Sequence, residues 1–122
     1  MGELNMTEII DQQSIENLRA LNPDDNDAFL REIAGIFFED TPLRIAEMEE
    51  SLQAGDVTKF TRAAHSIKGS SSNLGAMALR AAAEKLEHQA RSNGLGNVAP
   101  LLADVKAEFS RAQAALTTLL GK

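Results

Sequence analysis

The chain has 122 residues, 43% of them hydrophobic but only 4% aromatic, with no Trp, Tyr or Cys; that length buries one core of aliphatic side chains and a few Phe and leaves no room for an elaborate second module. A net charge of −6 without clustered Lys and Arg excludes a surface that reads nucleic-acid phosphates. Without Cys there is no disulfide or thiolate metal site, and no apolar run is long enough for a membrane span or signal peptide, so a soluble cytoplasmic protein with no membrane partner is expected.

Residues 1–8 are read as an N-terminal tail with a second Met at position 6, and 9–120 as one domain. Apolar spacing is helical throughout, with no sustained period-two alternation, which predicts an all-α fold. A short helix is expected from about Asp11 to Leu21, with Ile15 and Leu18 on one face and the NPDD run at 22–25 as its stop. A longer helix follows from about Asp25 with Phe29, Ile33, Ile36 and Phe37 on its stripe. Pro42 interrupts it, either kinking one helix or restarting a second one capped by Thr41, and the single kinked helix is preferred.

That helix is expected to end at Gly55, after which Asp56 caps a third helix carrying Val57, Phe60, Ala64, Ile67 and Ser71 at spacings of three and four. A fourth runs from about Ala76 to Arg91 with Leu79, Ala82, Ala83, Leu86 and Ala90 inward. SNGLGN at 92–97 is a loop, and the last helix has the cleanest period: Val98, Leu101, Leu102, Val105, Phe109, Ala112, Leu116 and Leu119. Four amphipathic helices with short connections, preceded by a short one, read as an antiparallel up-down-up-down bundle.

The stretch AAHSIKGSSSNLGA at 63–76 raises a chemical question. Gly69 sits in a helix interior, where it costs roughly 1 kcal/mol relative to Ala. With ~100° of rotation per residue, His65 points ~130° away from the stripe of Phe60, Ala64 and Ile67 and therefore faces solvent. A neutral imidazole there offers one ring nitrogen as a nucleophile. Lys68, one turn along, can supply a compact cation for an anion attached to that nitrogen. Gly69 removes any side chain beside the ring and so clears space for a phosphoryl group and for the surface that delivers it, and Ser70, Ser71 and Ser72 extend the clearance with hydroxyls able to meet phosphate oxygens. Taken singly, each residue has a plainer explanation: a solvated His, a solvated Lys, a Gly for close packing. Their conjunction on a face turned from the core favours the chemical one.

The run HSIKGSSSNLG, His65 to Gly75, resembles the signature of histidine-containing phosphotransfer (HPt) domains, in which His-x-x-Lys-Gly followed by small residues surrounds a phosphorylated histidine. The likeness extends over roughly residues 9–119, including the Pro-bearing FFEDTP at 37–42. It implies that His65 accepts a phosphoryl group from a receiver-domain aspartate and passes it to another in a multistep two-component phosphorelay. It also implies that a Glu or Gln twenty-two positions after the histidine, here Glu87, holds the imidazole; the plainer alternative for Glu87 is a solvated charge beside Leu86. The partners implied are receiver domains of response regulators and hybrid sensor kinases, met transiently by the surface around His65, with Arg62, Ser72 and Leu74 as candidate contacts. The chain shows no Walker-type loop and no kinase signature, so a phosphocarrier rather than an enzyme is expected. No cofactor or metal of its own is expected, the Mg²⁺ for phosphoryl transfer residing in the receiver.

Two rivals stand beside this reading: a non-covalent helical adaptor that binds or sequesters a receiver without being phosphorylated, and the N-terminal substrate module of a chemotaxis-type kinase. Glu84 and His88 at i and i+4 mimic a metal pair but lack a third ligand nearby in sequence, and the Glu47, Glu49, Glu50 run reads as a solvated face. A free-standing monomer is the default expectation.

Overall fold

The computed structural model describes residues 9–121, so the expected 1–8 tail lies outside the described residues. Within them are five helices and no strand: α1 (Gln12–Leu21), α2 (Ala28–Ala54), α3 (Val57–Asn73), α4 (Met77–Asn93) and α5 (Ala99–Leu119). Helices α2, α3, α4 and α5 pack each against the next, and α5 closes back on α2. The connections between them are too short for anything but reversal of direction, giving the four-helix bundle with α1 appended.

The caps are mostly those the sequence signals. Asp11 accepts from the Ser14 amide at the start of α1 and Asp56 from the Lys59 amide at the start of α3, each satisfying an otherwise orphaned N–H. Gly55 ends α2 in the left-handed region at φ 72°, as Gly permits without steric cost. The start of α2 differs from expectation. Asn26 and Asp27 both have positive φ, and the Asp27 carboxylate, instead of capping α2, takes a two-pronged bond from Arg19 at 2.9 and 3.0 Å. That bond, with Asp25 accepting from the Phe29 amide, fixes the turn from α1 into α2.

One continuous α2 runs through Pro42, as the single-helix alternative requires; Thr41 is not a cap but lies buried in mid-helix. The stripe differs from the one read from sequence. Its buried residues are Leu30, Ala34, Phe37, Thr41, Ile45, Met48 and Ser51, while Ile36 is 58% exposed and Phe29 and Ile33 are half-buried. On the other helices the predicted stripes hold, except that Val57 is exposed and Leu18, Ala82, Leu101 and Leu119 are half-buried. Phe37 of α2 meets Phe109 of α5 edge to face, with ring centroids 5.4 Å apart.

The turn between α3 and α4 is the structural hinge of the site. Gly75 adopts φ 74°, and a Cβ there would fall 2.8 Å from the Ser14 Cβ and 2.9 Å from the Asp11 carbonyl oxygen. The Asp11 amide donates to the Gly75 carbonyl at 2.7 Å, so this turn is also where α1 docks. No helix among the described residues is long and apolar enough to cross a membrane.

Candidate functional site

Because α3 buries Phe60, Ala64, Ile67 and Ser71, its geometry turns His65 outward, and that side chain is 65% exposed. Behind it stands Glu87, held on α4 between the buried Leu86 and Ala90 and only 3% exposed. A buried carboxylate needs partners, and Glu87 has three. His65 Nδ1 lies 3.1 Å from Oε2, Lys68 Nζ lies 3.1 Å from Oε1, and Arg91 Nη2 donates to Oε2 at 2.6 Å. Burial alone would push the Glu87 carboxyl up, but hydrogen bonds from Lys68, Arg91 and His65 outweigh it and hold the group below its ordinary value. Glu87 is therefore a carboxylate at neutral pH and acts only as an acceptor.

An acceptor at Nδ1 fixes the tautomer: the ring proton sits on Nδ1, and Nε2 keeps its lone pair. Among the described residues Nε2 has no hydrogen-bond partner. One turn along, Gly69 has nothing within 4 Å of where a Cβ would stand, so the space beside the ring is open. Lys68, 25% exposed, lies one turn along with its ammonium on the Glu87 carboxylate.

The remaining expected residues divide. Arg62 is exposed and borders, with Thr58, Thr61 and Arg91, a hollow next to His65. Ser72 is exposed on the same helix. Leu74 corrects the expectation of an exposed apolar contact: it is 1% exposed and belongs to the core, because the α3–α4 turn folds it inward as the residue that ends α3. Ser70 and Ser71 are not free for phosphate either, since both hydroxyls donate to the Ile67 carbonyl. Glu84 is bridged by Arg80 at 3.2 Å, and no group of three His, Asp or Glu side chains with metal-ligand spacing occurs among the described residues. The plain reading of Glu87 as a solvated charge is overturned by its burial. Arg91 was not anticipated, although its place four residues after Glu87 on one helix is the ordinary spacing of an ion pair.

The site is thus an outward imidazole with a buried carboxylate behind it and two cations on that carboxylate, carried by a helical bundle. Comparison with known proteins gives that bundle a family. The Hpt domain family model matches residues 32–115, and the chain belongs to that family. Multistep phosphorelay regulator 1 of Schizosaccharomyces pombe is 30% identical over 81 residues, 66% of this chain and 28% of that protein, so the chain spans under a third of that relative's length. Histidine-containing phosphotransfer protein 4 of Arabidopsis thaliana is 26% identical over 103 residues, covering 83% of this chain and 80% of the relative.

Among solved structures, histidine-containing phosphotransfer protein B of Pseudomonas aeruginosa PAO1 superimposes with a TM-score of 0.82 at 27% identity, covering 92% of this chain and 94% of that one. The maize histidine-containing phosphotransfer protein ZmHP2, with a TM-score of 0.80 at 22% identity over 92% of this chain and 83% of its own, is alike in fold.

Proposed function

We propose that the chain carries a phosphoryl group on Nε2 of His65, taken from the acyl phosphate of a receiver-domain aspartate and handed to the aspartate of another. The observation that carries this is the 3.1 Å contact between His65 Nδ1 and the buried Glu87 carboxylate, which leaves Nε2 outward as the nucleophile. In the transfer the Nε2 lone pair attacks phosphorus, the N–P bond forms as the P–O bond to the aspartyl oxygen breaks, and the aspartate leaves as a carboxylate. The Nδ1 proton stays in place. Positive charge develops on the ring and is met by Glu87, while Lys68 and Arg91, both paired with that carboxylate, are the nearby cations available to the phosphoryl oxygens. The reverse sequence returns the group to an aspartate.

The donor set here does not fit a resident divalent cation, because the one buried carboxylate at the site already faces Lys68, Arg91 and His65. Mg²⁺ belongs to the receiver in this scheme, and the chain acts as a phosphocarrier rather than a kinase. The test is to mix the chain with a phosphorylated receiver domain and Mg²⁺ and to look for acid-labile, base-stable phosphate. Wild type should acquire it and His65→Gln should not. A wild-type chain that binds the receiver yet stays unlabelled is a non-covalent adaptor, and the proposal fails.

A further inference from the structure

A second glycine stands in a helix interior, this one in α2 and far from the histidine. Gly35 is unfavourable there relative to Ala, its φ is not positive, and nothing lies within 4 Å of where its Cβ would stand. Neither the backbone nor close packing requires it. Its structural effect is to open a hollow of about 510 Å³ in the seam between α2 and the C-terminal end of α5, a size typical of small-molecule sites. Because α2, α3, α4 and α5 pack in a ring, this seam lies across the bundle from the α3–α4 seam that holds His65 and Glu87. Phe38 lines the hollow from one helix and Leu120 from the other, both half-buried. The polar side chains on its walls are two. The Thr117 hydroxyl already donates to the Gln113 carbonyl at 2.8 Å. Arg31, exposed and one turn before Gly35, is the one charged side chain lining the hollow among the described residues. It donates to the Asn26 carbonyl at 2.8 Å, which leaves most of its five N–H groups over, and the acid one turn before it, Asp27, is engaged by Arg19.

We infer that this hollow is a binding site for a free medium-chain carboxylate, with its alkyl tail laid over Gly35 between Phe38 and Leu120 and its head held by Arg31. Each part of that ligand answers a part of the wall. Apolar surface taken out of water supplies affinity without direction. The guanidinium supplies direction, since its planar fork takes a carboxylate through two parallel N–H bonds. With Thr117 occupied and Gly35, Phe38, Leu120 and Gly121 carrying no polar side-chain group, nothing else on the walls answers a hydroxylated or zwitterionic molecule. A second anionic group on the ligand would likewise find no cation. The site shares no residue with that of His65, so it stands or falls apart from the phosphocarrier reading.

The experiment is a ¹H–¹⁵N titration of the intact chain with octanoate, decanoate and octanol, each kept below its micelle or solubility limit. Decanoate should give saturable shifts at Gly35, Phe38 and Leu120 and leave His65 and Glu87 in place. The two added methylenes should make decanoate bind roughly tenfold tighter than octanoate. Arg31→Gln should weaken both carboxylates roughly tenfold, leave octanol unchanged, and be partly rescued by Arg31→Lys. Gly35→Leu, whose side chain enters the hollow, should abolish binding, and Gly35→Ala, which fills less of it and keeps the test open if the leucine variant does not fold, should weaken it. Labelling of His65 by phosphoramidate, a small phosphodonor, should be the same with and without saturating decanoate. Shifts that never saturate, octanoate binding as well as decanoate, Arg31→Gln binding carboxylates as wild type does, or Gly35 variants that fold and bind undiminished each overturn the inference. Shifts that appear only with anionic lipid vesicles assign the hollow to a bilayer, and hollow amides that shift on dilution as a sedimenting dimer dissociates assign it to a second copy; either result overturns it too. A chain whose His65 takes no phosphate while decanoate binds as described loses the phosphocarrier reading and keeps this site.

Discussion

Replacing Glu87 probes the site at its centre, because one side chain holds three others. In Glu87→Ala the His65 ring loses the acceptor at Nδ1, Lys68 loses its partner at 3.1 Å and Arg91 loses its at 2.6 Å. Hydrogen bonds to charged groups contribute about 1.5–3 kcal/mol each when desolvated. Lys68, Arg91 and His65 all reach solvent, however, and the burial cost of the carboxylate disappears with it. The net loss of stability should therefore be small, about 1–2 kcal/mol, or roughly 4–8 °C in Tm. Its pH dependence has a definite sign. The folded carboxyl titrates below its ordinary value of 4.5, so its contribution is complete above that value and is lost as pH falls through the lower folded one. The Tm gap between wild type and Glu87→Ala should be widest near neutrality and narrow as pH falls below 4.5.

Transfer should suffer more than folding does. Without the acceptor both tautomers are populated, and the cation forming on the ring has no counter-charge; a loss of about 1.5–3 kcal/mol from the barrier side corresponds to roughly 10–100-fold in rate. Glu87→Gln keeps one acceptor for Nδ1 but presents an N–H₂ to one of the cations, so it should fall between wild type and Ala. The assay is phosphoryl transfer from a phosphorylated receiver followed by rapid quench, with ¹⁵N shifts of the imidazole read on the same samples. If Glu87→Ala transfers at the wild-type rate, or its ring keeps a fixed Nδ1–H tautomer, the assigned role of Glu87 is wrong.

Lys68→Ala takes one of three partners from the buried Glu87 carboxylate and should lower stability by about 1–3 kcal/mol, while shortening the phosphohistidine lifetime; an unchanged lifetime removes Lys68 from the mechanism. Gly69→Leu has open space to occupy and should preserve or raise stability by under about 1 kcal/mol while slowing acceptance from a receiver and sparing that from phosphoramidate. Equal slowing with both donors would place the obstruction at the ring instead of at the docking face. Gly75→Ala should lower stability by about 1–3 kcal/mol, since φ is positive and the new Cβ meets Ser14 and the Asp11 backbone. Urea denaturation checks it, and a midpoint equal to wild type would show that α1 does not dock on this turn.

The short bundle helices α3, α4 and α5 were legible because each buries one stripe, so a period of three and four points at the core. The stripe of α2 was misplaced for a physical reason. Its sequence carries apolar residues on more than one side, and Ile36 and Leu43 are exposed while Leu30 and Phe37 are not, a distinction that needs the positions of α3 and α5. At the site, the outward direction of His65 and the emptiness beside Gly69 could be worked out from rotation per residue alone. The burial of Glu87 could not, because it depends on how closely α4 lies behind α3. Leu74 misled as the residue of a turn, where apolar side chains often stay outside; here the turn folds back over the core. Arg91 was available from its i+4 spacing to Glu87 but had no meaning until that carboxylate was known to be inward.

The central claim is that Glu87 holds Nδ1 of His65 and thereby directs phosphate to the other ring nitrogen. The most direct measurement is a long-range ¹⁵N–¹H and ³¹P spectrum of the imidazole-labelled chain after phosphorylation by a receiver domain. The account predicts phosphorus on Nε2 of His65 with the Nδ1 proton retained and bonded to carboxylate. Phosphorus on Nδ1, or on any side chain other than His65, contradicts it.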